Sequence, residues 1–148
     1  RAGFELAVDE ALSVVFGYTC GLDMTRRDLQ TASRESKGPW DIGKDFENSA
    51  VIGRISPAHE IGHPNSGRIQ LSVNGELRQQ GCVADLIFAI PTLIETLSRT
   101  MTLEPGDILA TGTPAGVGMG FQPPRFLGKG DVVRITIEPI GTLENPVE

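Results

Sequence analysis

The 148-residue sequence predicts a mixed, β-rich α+β fold, with a rolled or barrel-like sheet as its core and helices at the margins. Two observations support this class. Many short apolar runs are bounded by turn residues, and strands do not alternate with helices as in doubly wound parallel folds. With 39% apolar residues the chain can close one substantial core, so a single domain is expected over residues 1–148. Because the chain begins with Arg1 rather than Met, we expect this domain to lack an N-terminal part.

The first elements are two predicted helices separated by an extended segment. Asp9 is placed to cap a short helix over residues 7–15, which leads into an extended run at residues 16–22. Thr25 can cap a second helix over residues 26–33. That helix is mostly polar, so we expect it to lie over a surface or a cleft.

The middle of the chain predicts strands at residues 49–52 and 69–73, separated by a loop rich in Gly, Pro, His and Asn. Asn74-Gly75 follows the second strand and precedes another short apolar and polar run. This dipeptide between two such runs is the strongest short-range hairpin signal. We therefore predict a tight hairpin at Asn74-Gly75.

The last third of the chain predicts one helix and two strands. Pro91 begins a helix that extends to about Met101, and five apolar residues fall on one face of it. Two Gly-Asp turns are each followed by a strand, at residues 108–111 and 132–137. The residues expected to place this helix on the core are Ile90, Leu93, Ile94, Leu97 and Met101.

The composition argues against nucleic-acid and membrane partners. The net charge of −6 comes from 13 basic and 19 acidic residues, with no basic run to receive a phosphate backbone. The longest apolar runs, such as residues 86–90, are far shorter than the roughly 20 residues that cross a bilayer. Cys20 and Cys82 have neither metal-ligand nor redox-pair spacing. We interpret them as reduced thiols of a cytoplasmic protein, with a single disulfide as the alternative.

Polar residues with catalytic potential follow the first extended run. Asp23 at the end of a strand suits a hard cation with oxygen ligands, such as Mg²⁺. Arg27 and Gln30 are three residues apart, so on a helix they share a face near Asp23 and can hold the carboxylate of a bound acid. The alternative is a capped helix with Arg–Asp pairs on its solvated side.

Three other stretches have functional and structural interpretations. Lys44 can polarise a carbonyl if it is partly desolvated, or it is a plain surface lysine. Residues 111–118 contain three glycines and two threonines, which either receive an oxyanion or form a turn without a ligand. His59 and His63 lie beside a Gly and a Pro that deny them the helix of a helical metal site. We therefore predict that both histidines are exposed loop residues.

Five motifs, in this order and at this spacing, resemble the fumarylacetoacetate hydrolase family. Each motif is weak by itself, but the set is specific. The resemblance covers the chain from residue 16 onward. Its motifs are residues 17–30, 43–46, 73–79, 103–107 and 111–118, with a family-like ending at residues 140–147.

The resemblance implies an enzyme that cleaves or isomerises next to the oxo group of a 2-oxo or 2,4-dioxo acid. It implies Mg²⁺ or Mn²⁺ as the cofactor, with Asp23 as one ligand, and the metal would stabilise an enolate of the small anionic substrate. It also implies a homodimer, in agreement with the unpaired edge strands expected of an incomplete sheet.

The resemblance also implies roles for the other site residues. Lys44 and Thr113 are expected to be catalytic, contributing positive charge and hydrogen-bond donors. We favour a hydrolase of an acylpyruvate or fumarylpyruvate, because two adjacent arginines suit a dicarboxylate. An oxaloacetate decarboxylase, or an isomerase of an unsaturated 2-oxo-dioate, would use the same residues. The residues expected to bind the substrate are Arg26, Arg27, Gln30, Gly112 and Thr113.

Two parts of the family pattern are missing from this sequence. The family takes two more metal ligands from a Glu-x-Glu strand, and its water-activating His–Glu pair from an N-terminal lid. The 22 residues before Asp23 contain neither. A hard cation needs more than one protein carboxylate unless waters fill its remaining positions, so we expect an incomplete metal site. A truncated, non-catalytic subunit or binding module is therefore the alternative from another functional class.

Overall fold

The computed structural model describes residues 2–148 and confirms the mixed, β-rich class; Arg1 lies outside the described residues. The described strands form one four-stranded sheet and two two-stranded ladders, and every pairing is antiparallel. The strands are β1 (Gly17–Tyr18), β2 (Gly21–Asp23), β3 (Ala50–Ile52), β4 (Ser56–Pro57), β5 (Arg68–Val73), β6 (Glu76–Cys82), β7 (Val132–Ile137) and β8 (Gly141–Pro146). The α-helices are α1 (Arg27–Glu35), α2 (Asp41–Lys44), α3 (Ala58–Ile61) and α4 (Ile90–Ser98).

The four-stranded sheet has the order β6-β5-β7-β8 and begins with the predicted hairpin. Asn74 and Gly75 join β5 to β6 with φ angles of 52° and 81°, and two positive angles are typical of a type I′ turn. The hairpin prediction is confirmed. The Asn74 side chain also connects the turn to β7, because its oxygen accepts a hydrogen bond of 2.8 Å from the Val132 N–H.

A β-bulge interrupts the pairing of β5 with β6. Leu71 pairs with Gln79 and Ser72 pairs with Leu77, which leaves Arg78 as the extra residue of β6. A bulge bends its strand and changes the direction of the side chains beside it. Arg78 and Gln79, although consecutive, both line the concave side of the molecule.

The hydrophobic core lies between β2 and the four-stranded sheet. Cys20 and Val133 are each 3% exposed at its centre. Removing a large aliphatic side chain from water contributes about 1.5–3 kcal/mol, so this cluster is the main apolar support of the sheet. Its buried residues are Cys20, Leu22, Val73, Val133 and Ile135, with Met24, Val51, Leu71, Ile137, Ile140, Leu143 and Val147 packed against them.

A second buried cluster connects the N-terminal segment to α4. Ala11 and Ser98 are both 0% exposed. The Ser98 hydroxyl accepts a hydrogen bond from the Leu6 N–H at 3.0 Å and donates to the Glu95 carbonyl at 3.0 Å. The first residues of the chain are thereby held against the end of α4.

The first two helices differ from the sequence prediction. Residues 7–15 contain only a short 3-10 helix, Ala11–Val14, with no side-chain cap. Thr25 does not cap α1, whose N-cap residue is Arg26. The start of α1 is instead held by a tertiary contact, because the Arg26 N–H donates to the Gly43 carbonyl at 3.0 Å. Asp9 and Thr25 are therefore not capping residues.

Only part of the predicted apolar face of α4 lies in the core. Ile94 is 6% exposed, whereas Met101 lies beyond the end of the helix and is 52% exposed. The prediction of five core residues was wrong for Met101. Leu93 and Leu97 are half-buried and face the concave side of the molecule. None of the helices in residues 2–148 has the length and apolar character required to cross a membrane.

Residues 108–111 form no strand, contrary to the prediction. Ile108 and Leu109 are 59% and 40% exposed, and within residues 2–148 no strand pairs with this segment. A strand requires a hydrogen-bonding neighbour, which a local pattern does not reveal. The turn before it is present, since the Asp107 carboxylate accepts a hydrogen bond of 2.8 Å from the Glu104 N–H.

The two cysteines are free thiols, so the disulfide alternative is excluded. Cys20 is buried in the core, and Cys82 is half-buried at the end of β6. Burial raises the pKa of the Cys20 thiol, with a smaller opposing effect of a backbone hydrogen bond. Cys20 thus acts as a small apolar core residue.

Candidate functional site

One wide, open concavity is lined by residues from all five family-like motifs. It is bounded by the end of β2, the start of α1, the end of α2, the bulge of β6 and the loop after residue 110. Gln30 does not line it but contacts a residue that does. The predicted site residues that line the concavity are Asp23, Arg26, Arg27, Lys44, Gly112 and Thr113.

Asp23 and Lys44 form an ion pair at the rim of this concavity. The Lys44 Nζ donates a hydrogen bond of 2.8 Å to Asp23 Oδ2. The Lys44 side chain is 31% exposed and the Asp23 side chain 64% exposed. The Lys44 side chain is therefore partly buried, and its ammonium group contacts the carboxylate at the end of β2.

Helix packing through a glycine places Lys44 in this position. Gly43 is buried, and a Cβ atom there would lie 2.9 Å from the Gln30 backbone nitrogen. Real Cβ atoms do not approach backbone that closely, so only glycine allows α2 to pack directly against α1. Lys44 follows at the end of α2 and reaches Asp23.

The two consecutive arginines make different contacts. The Arg26 guanidinium lies 4.3 Å from the centre of the Phe46 ring, a cation–π arrangement. The Arg27 guanidinium donates a short hydrogen bond to Gln30 Oε1. Arg27 and Gln30 thus share a helix face, as their spacing predicts, and Gln30 orients Arg27. Both guanidinium groups remain free of carboxylate partners among the described ion pairs.

A buried glutamine holds the loop that carries Gly112 and Thr113. Gln79 is 8% exposed, and its Nε2 donates hydrogen bonds of 2.8 Å to Thr113 Oγ1 and 2.8 Å to the Pro114 carbonyl. Thr113 itself is exposed on the concavity. Sequence reasoning did not select Gln79, although it belongs to one of the family-like motifs, because its partners lie 34 and 35 residues away.

A cluster of charged and aromatic groups borders the same loop and was also not predicted. Glu76 pairs with Arg78 at 3.2 Å and with Arg125 at 2.7 Å, and both guanidinium groups lie 5.4 Å from the centre of the Phe121 ring. The hydrogen bond from Arg125 is the main cause that lowers the pKa of Glu76. The Nε atom of Arg78 is buried and has no hydrogen-bond partner within residues 2–148.

The two histidines are exposed, as predicted, and do not line the concavity. His59 differs from the prediction in one respect, since it lies in the four-residue helix α3 rather than in a loop. His63 Nδ1 is 2.7 Å from the Tyr18 hydroxyl, with the two rings edge to face. Neither histidine is brought near Asp23 or Lys44 by any described contact.

The donor set around Asp23 does not by itself fit a divalent cation. Within residues 2–148, no three His, Cys, Asp or Glu side chains are grouped so that they could hold a metal ion. Asp23 is also engaged by the Lys44 ammonium. One carboxylate is less than a hard cation requires from a protein, so this part of the chain would supply one ligand at most.

Comparison with known proteins identifies the family. A model of the fumarylacetoacetate hydrolase C-terminal region matches residues 1–148. The chain belongs to the fumarylacetoacetate hydrolase family. Solved structures of this family share the fold. The fumarylpyruvate hydrolase of Pseudomonas aeruginosa, in complex with Mn²⁺ and pyruvate, superposes with a TM-score of 0.89 at 40% identity, over 97% of this chain and 59% of that chain.

Curated relatives in the family have more than one activity. The chain is 48% identical to the oxaloacetate tautomerase YisK of Bacillus subtilis over 149 aligned positions, 99% of this chain and 48% of that protein. It is 40% identical to the fumarylpyruvate hydrolase of a Ralstonia species over 129 positions, 87% of this chain and 67% of that protein. The chain thus spans between about half and two thirds of the length of these relatives.

Proposed function

We propose that this chain is the C-terminal catalytic part of a fumarylacetoacetate hydrolase family enzyme that acts on a small anionic 2-oxo acid. The reaction that we favour is hydrolytic cleavage of a C–C bond in a 2,4-dioxo acid of the acylpyruvate or fumarylpyruvate type. The observation that carries the proposal is the Lys44–Asp23 ion pair of 2.8 Å. It lies beside α1, where Gln30 packs on Gly43 and accepts a hydrogen bond from Arg27.

The charges of the concavity suit a substrate with carboxylate groups. Arg27 is oriented by Gln30 and makes no ion pair among the described ones, so its planar donors are available to a carboxylate. Arg26 lies beside it and can receive a second carboxylate. Two arginines on one rim favour a dicarboxylate such as fumarylpyruvate over an uncharged acyl group.

Lys44 and Thr113 would stabilise the charge that develops during cleavage. Water adds to the carbonyl at C4, the bond between C3 and C4 breaks, and its electron pair moves to C3 to form the enolate of a 2-oxo acid. The enolate then takes a proton at C3, and the other product leaves as a carboxylic acid. The Lys44 ammonium and the Thr113 hydroxyl are donors suited to the enolate oxygen and the neighbouring carboxylate.

The metal is a separate part of the proposal. We expect Mg²⁺ or Mn²⁺, with Asp23 as one ligand and the remaining ligands from chain outside residues 2–148. The Mn²⁺ in the Pseudomonas relative supports this expectation. Within residues 2–148, Asp23 is the one side chain expected to bind this metal, since no group of three suitable side chains is found there.

A second candidate activity is the interconversion of the keto and enol forms of oxaloacetate. It is favoured by the 48% identity to the tautomerase YisK. This reaction also passes through the enolate of a 2-oxo dicarboxylate, so the same arginines, Lys44 and Thr113 would serve it. Decarboxylation of oxaloacetate differs only in the bond that breaks.

The experiment assays the full-length protein with fumarylpyruvate and with oxaloacetate in the presence of Mg²⁺. Pyruvate is measured with a coupled lactate dehydrogenase, CO₂ is measured separately, and the enol form is followed by its ultraviolet absorbance. Pyruvate from fumarylpyruvate supports the hydrolase, loss of enol without pyruvate supports the tautomerase, and CO₂ identifies a decarboxylase. No reaction with either acid, together with no binding of pyruvate, would favour the non-catalytic alternative.

A further inference from the structure

We propose that Gln79 is a positioning residue, which holds the Thr113 hydroxyl as a hydrogen-bond donor toward an anionic ligand. This inference rests on the proposed function, in which Thr113 meets a carboxylate or an enolate oxygen. Gln79 is 8% exposed, and its Nε2 is 2.8 Å from both Thr113 Oγ1 and the Pro114 carbonyl oxygen. The amide nitrogen of this buried side chain thus donates both of its described hydrogen bonds to the loop of the site.

The Pro114 carbonyl determines which end of the Gln79 amide faces the loop. A carbonyl oxygen only accepts hydrogen bonds, so it requires the amide nitrogen of Gln79 and not the amide oxygen. The same nitrogen is 2.8 Å from Thr113 Oγ1. Because the nitrogen has no lone pair to offer, the Thr113 oxygen must accept and the Gln79 N–H must donate.

The hydrogen bond from Gln79 restricts the direction of the Thr113 hydroxyl hydrogen. A hydroxyl group has one hydrogen and two acceptor sites, and one acceptor site of Thr113 is filled by Gln79. The O–H of Thr113 is thus directed away from Gln79, and Thr113 is exposed on the concavity. The hydroxyl is set to donate, which is the polarity that a carboxylate or an enolate oxygen requires.

Other contacts hold the loop backbone, so Gln79 is not needed simply to keep the loop in place. A Cβ at Gly116 would lie 2.1 Å from the Arg78 carbonyl oxygen, and a Cβ at Gly81 would lie 3.0 Å from Pro114 Cβ. Both are close approaches between the loop and the bulged strand β6. Loss of the Gln79 amide should therefore free the hydroxyl of Thr113 to rotate while the loop stays on β6.

The first test compares Gln79→Met with Gln80→Met in the full-length protein. Gln80 is the next residue of β6, is exposed and does not line the concavity, so its change is a matched control. Pyruvate binding is measured by calorimetry in Mg²⁺, with thermal unfolding alongside. We expect about tenfold weaker binding for Gln79→Met, the effect of one hydrogen bond to a charged group, and none for Gln80→Met.

The same measurement on Thr113 separates orientation from packing. Thr113→Val removes the hydroxyl and keeps the shape of the side chain, and we expect it to weaken pyruvate binding at least as much as Gln79→Met. If Gln79 acts through this hydroxyl, Gln79→Met in the Thr113→Val background adds no further loss. If the double variant loses as much binding free energy as the two single variants together, Gln79 does not act through the Thr113 hydroxyl.

The variant Gln79→Glu replaces the hydrogen-bond donor that faces Thr113 with an acceptor, and its effect should depend on pH. An ionised Glu only accepts hydrogen bonds, so it would take the Thr113 O–H that the ligand needs. Pyruvate binding should be weakest near neutral pH and should recover, relative to the parent, as the pH falls toward the ordinary carboxyl value of about 4.3. If Gln79→Met unfolds, this recovery and its loss in the Thr113→Val background decide the question.

The outcomes distinguish this inference from the proposed function. If the parent protein neither binds pyruvate nor reacts with fumarylpyruvate or oxaloacetate, the proposed function is wrong, and the inference that rests on it is overturned as well. If the parent reacts without measurable pyruvate binding, the KM of the reacting acid replaces the pyruvate affinity in the same comparisons. If the parent binds pyruvate and folded Gln79→Met binds it as tightly as Gln80→Met, only the role of Gln79 is overturned.

Discussion

Lys44 Nζ lies 2.8 Å from Asp23 Oδ2, so the predicted catalytic lysine and the predicted metal ligand are partners of one another. This one ion pair cannot serve both as the metal contact of Asp23 and as the substrate contact of Lys44. A cation bound at Asp23 would share the carboxylate with the ammonium, whose positive charge opposes that of the cation. This relationship makes the two residues separable by mutation.

Lys44→Met should lower turnover of the full-length protein on the order of a hundredfold, because it removes charge and donors while preserving most of the stem. Mg²⁺ affinity should be unchanged or higher, since the competing ammonium is gone. Steady-state kinetics across a Mg²⁺ titration measures both quantities. Lys129→Met, at an exposed lysine outside the concavity, is the matched control. Turnover within about twofold of the parent would return Lys44 to the role of a surface residue.

Asp23→Asn should reduce Mg²⁺ affinity by at least about tenfold, since a neutral amide oxygen is a poorer ligand for a hard cation than a carboxylate. The melting temperature should change little, because the Asp23 side chain is 64% exposed and exposed ion pairs contribute little. Calorimetric Mg²⁺ titration measures the affinity, and thermal unfolding in chelator measures the melting temperature. Asp9→Asn, at another exposed aspartate, serves as the comparison. Parent-like Mg²⁺ saturation and activity would show that Asp23 is not a ligand.

Acid should destabilise the fold in part through Asp131. Hydrogen bonds from the Gly128 N–H, first, and from the Asn74 side chain lower the pKa of the Asp131 carboxyl. The pKa of Asp131 is thus lower in the folded protein than in the unfolded chain, where it is about 3.9. The ionised carboxylate therefore stabilises the fold above about pH 3.9, and this stabilisation is lost as the pH falls through the pKa of the folded state. Asp131→Asn should therefore flatten the dependence of melting temperature on pH below about 4. If the melting temperatures of Asp131→Asn and Asp9→Asn depend on pH with the same slope, the contribution of Asp131 is contradicted.

Local signals predicted the parts of this fold that local interactions determine. Asn74-Gly75 forms the expected hairpin because both of its residues tolerate positive φ, and the apolar spacing after Pro91 gives α4. Residues 108–111 failed as a strand because pairing depends on a neighbour elsewhere. The cap predicted at Thr25 failed because a contact with Gly43 holds the start of α1 instead.

For the candidate site, the sequence indicated residues but not their contacts, and the roles of these residues stay predictions. Motif resemblance selected Asp23, Lys44 and Thr113, which do line one concavity. Gln79 was missed because its role depends on a bulge at Arg78 and on a loop more than thirty residues later. Neither a bulge nor a contact at such a separation has a periodic signature in sequence, so the Gln79–Thr113 contact becomes visible only in the folded chain.

We propose a homodimer for the full-length protein, and sedimentation velocity at micromolar concentration should give its mass. Large apolar side chains at the surface support the proposal, with Ile87 at 91% and Phe88 at 59% exposure just before α4. Contiguous exposed apolar residues are typical of surfaces that another chain or segment covers. A monomer at that concentration would contradict the proposal, even if another segment of the full-length protein covers Ile87 and Phe88.

The attachment of the Thr113 loop to the bulge can be tested by comparing Gly116→Ala with Gly75→Ala. Both glycines have positive φ, 108° and 81°, so both variants bear the conformational cost of about 1–2 kcal/mol. The two positions differ in the room available for a Cβ atom. A Cβ at Gly116 would lie 2.1 Å from the Arg78 carbonyl oxygen, whereas a Cβ at Gly75 would have no neighbour within 4 Å.

Gly116→Ala should therefore cost about 1–3 kcal/mol more in the free energy of unfolding, the usual range for forced overpacking. It should also weaken pyruvate binding, because the loop can relieve the clash only by moving Thr113 away from the Gln79 amide. Gly75→Ala should leave pyruvate binding unchanged, since the hairpin end does not belong to the loop. Denaturant unfolding and calorimetry on the full-length protein measure both effects. Equal destabilisation by the two variants, with equal pyruvate affinity, would mean that the loop is not held against Arg78 in solution.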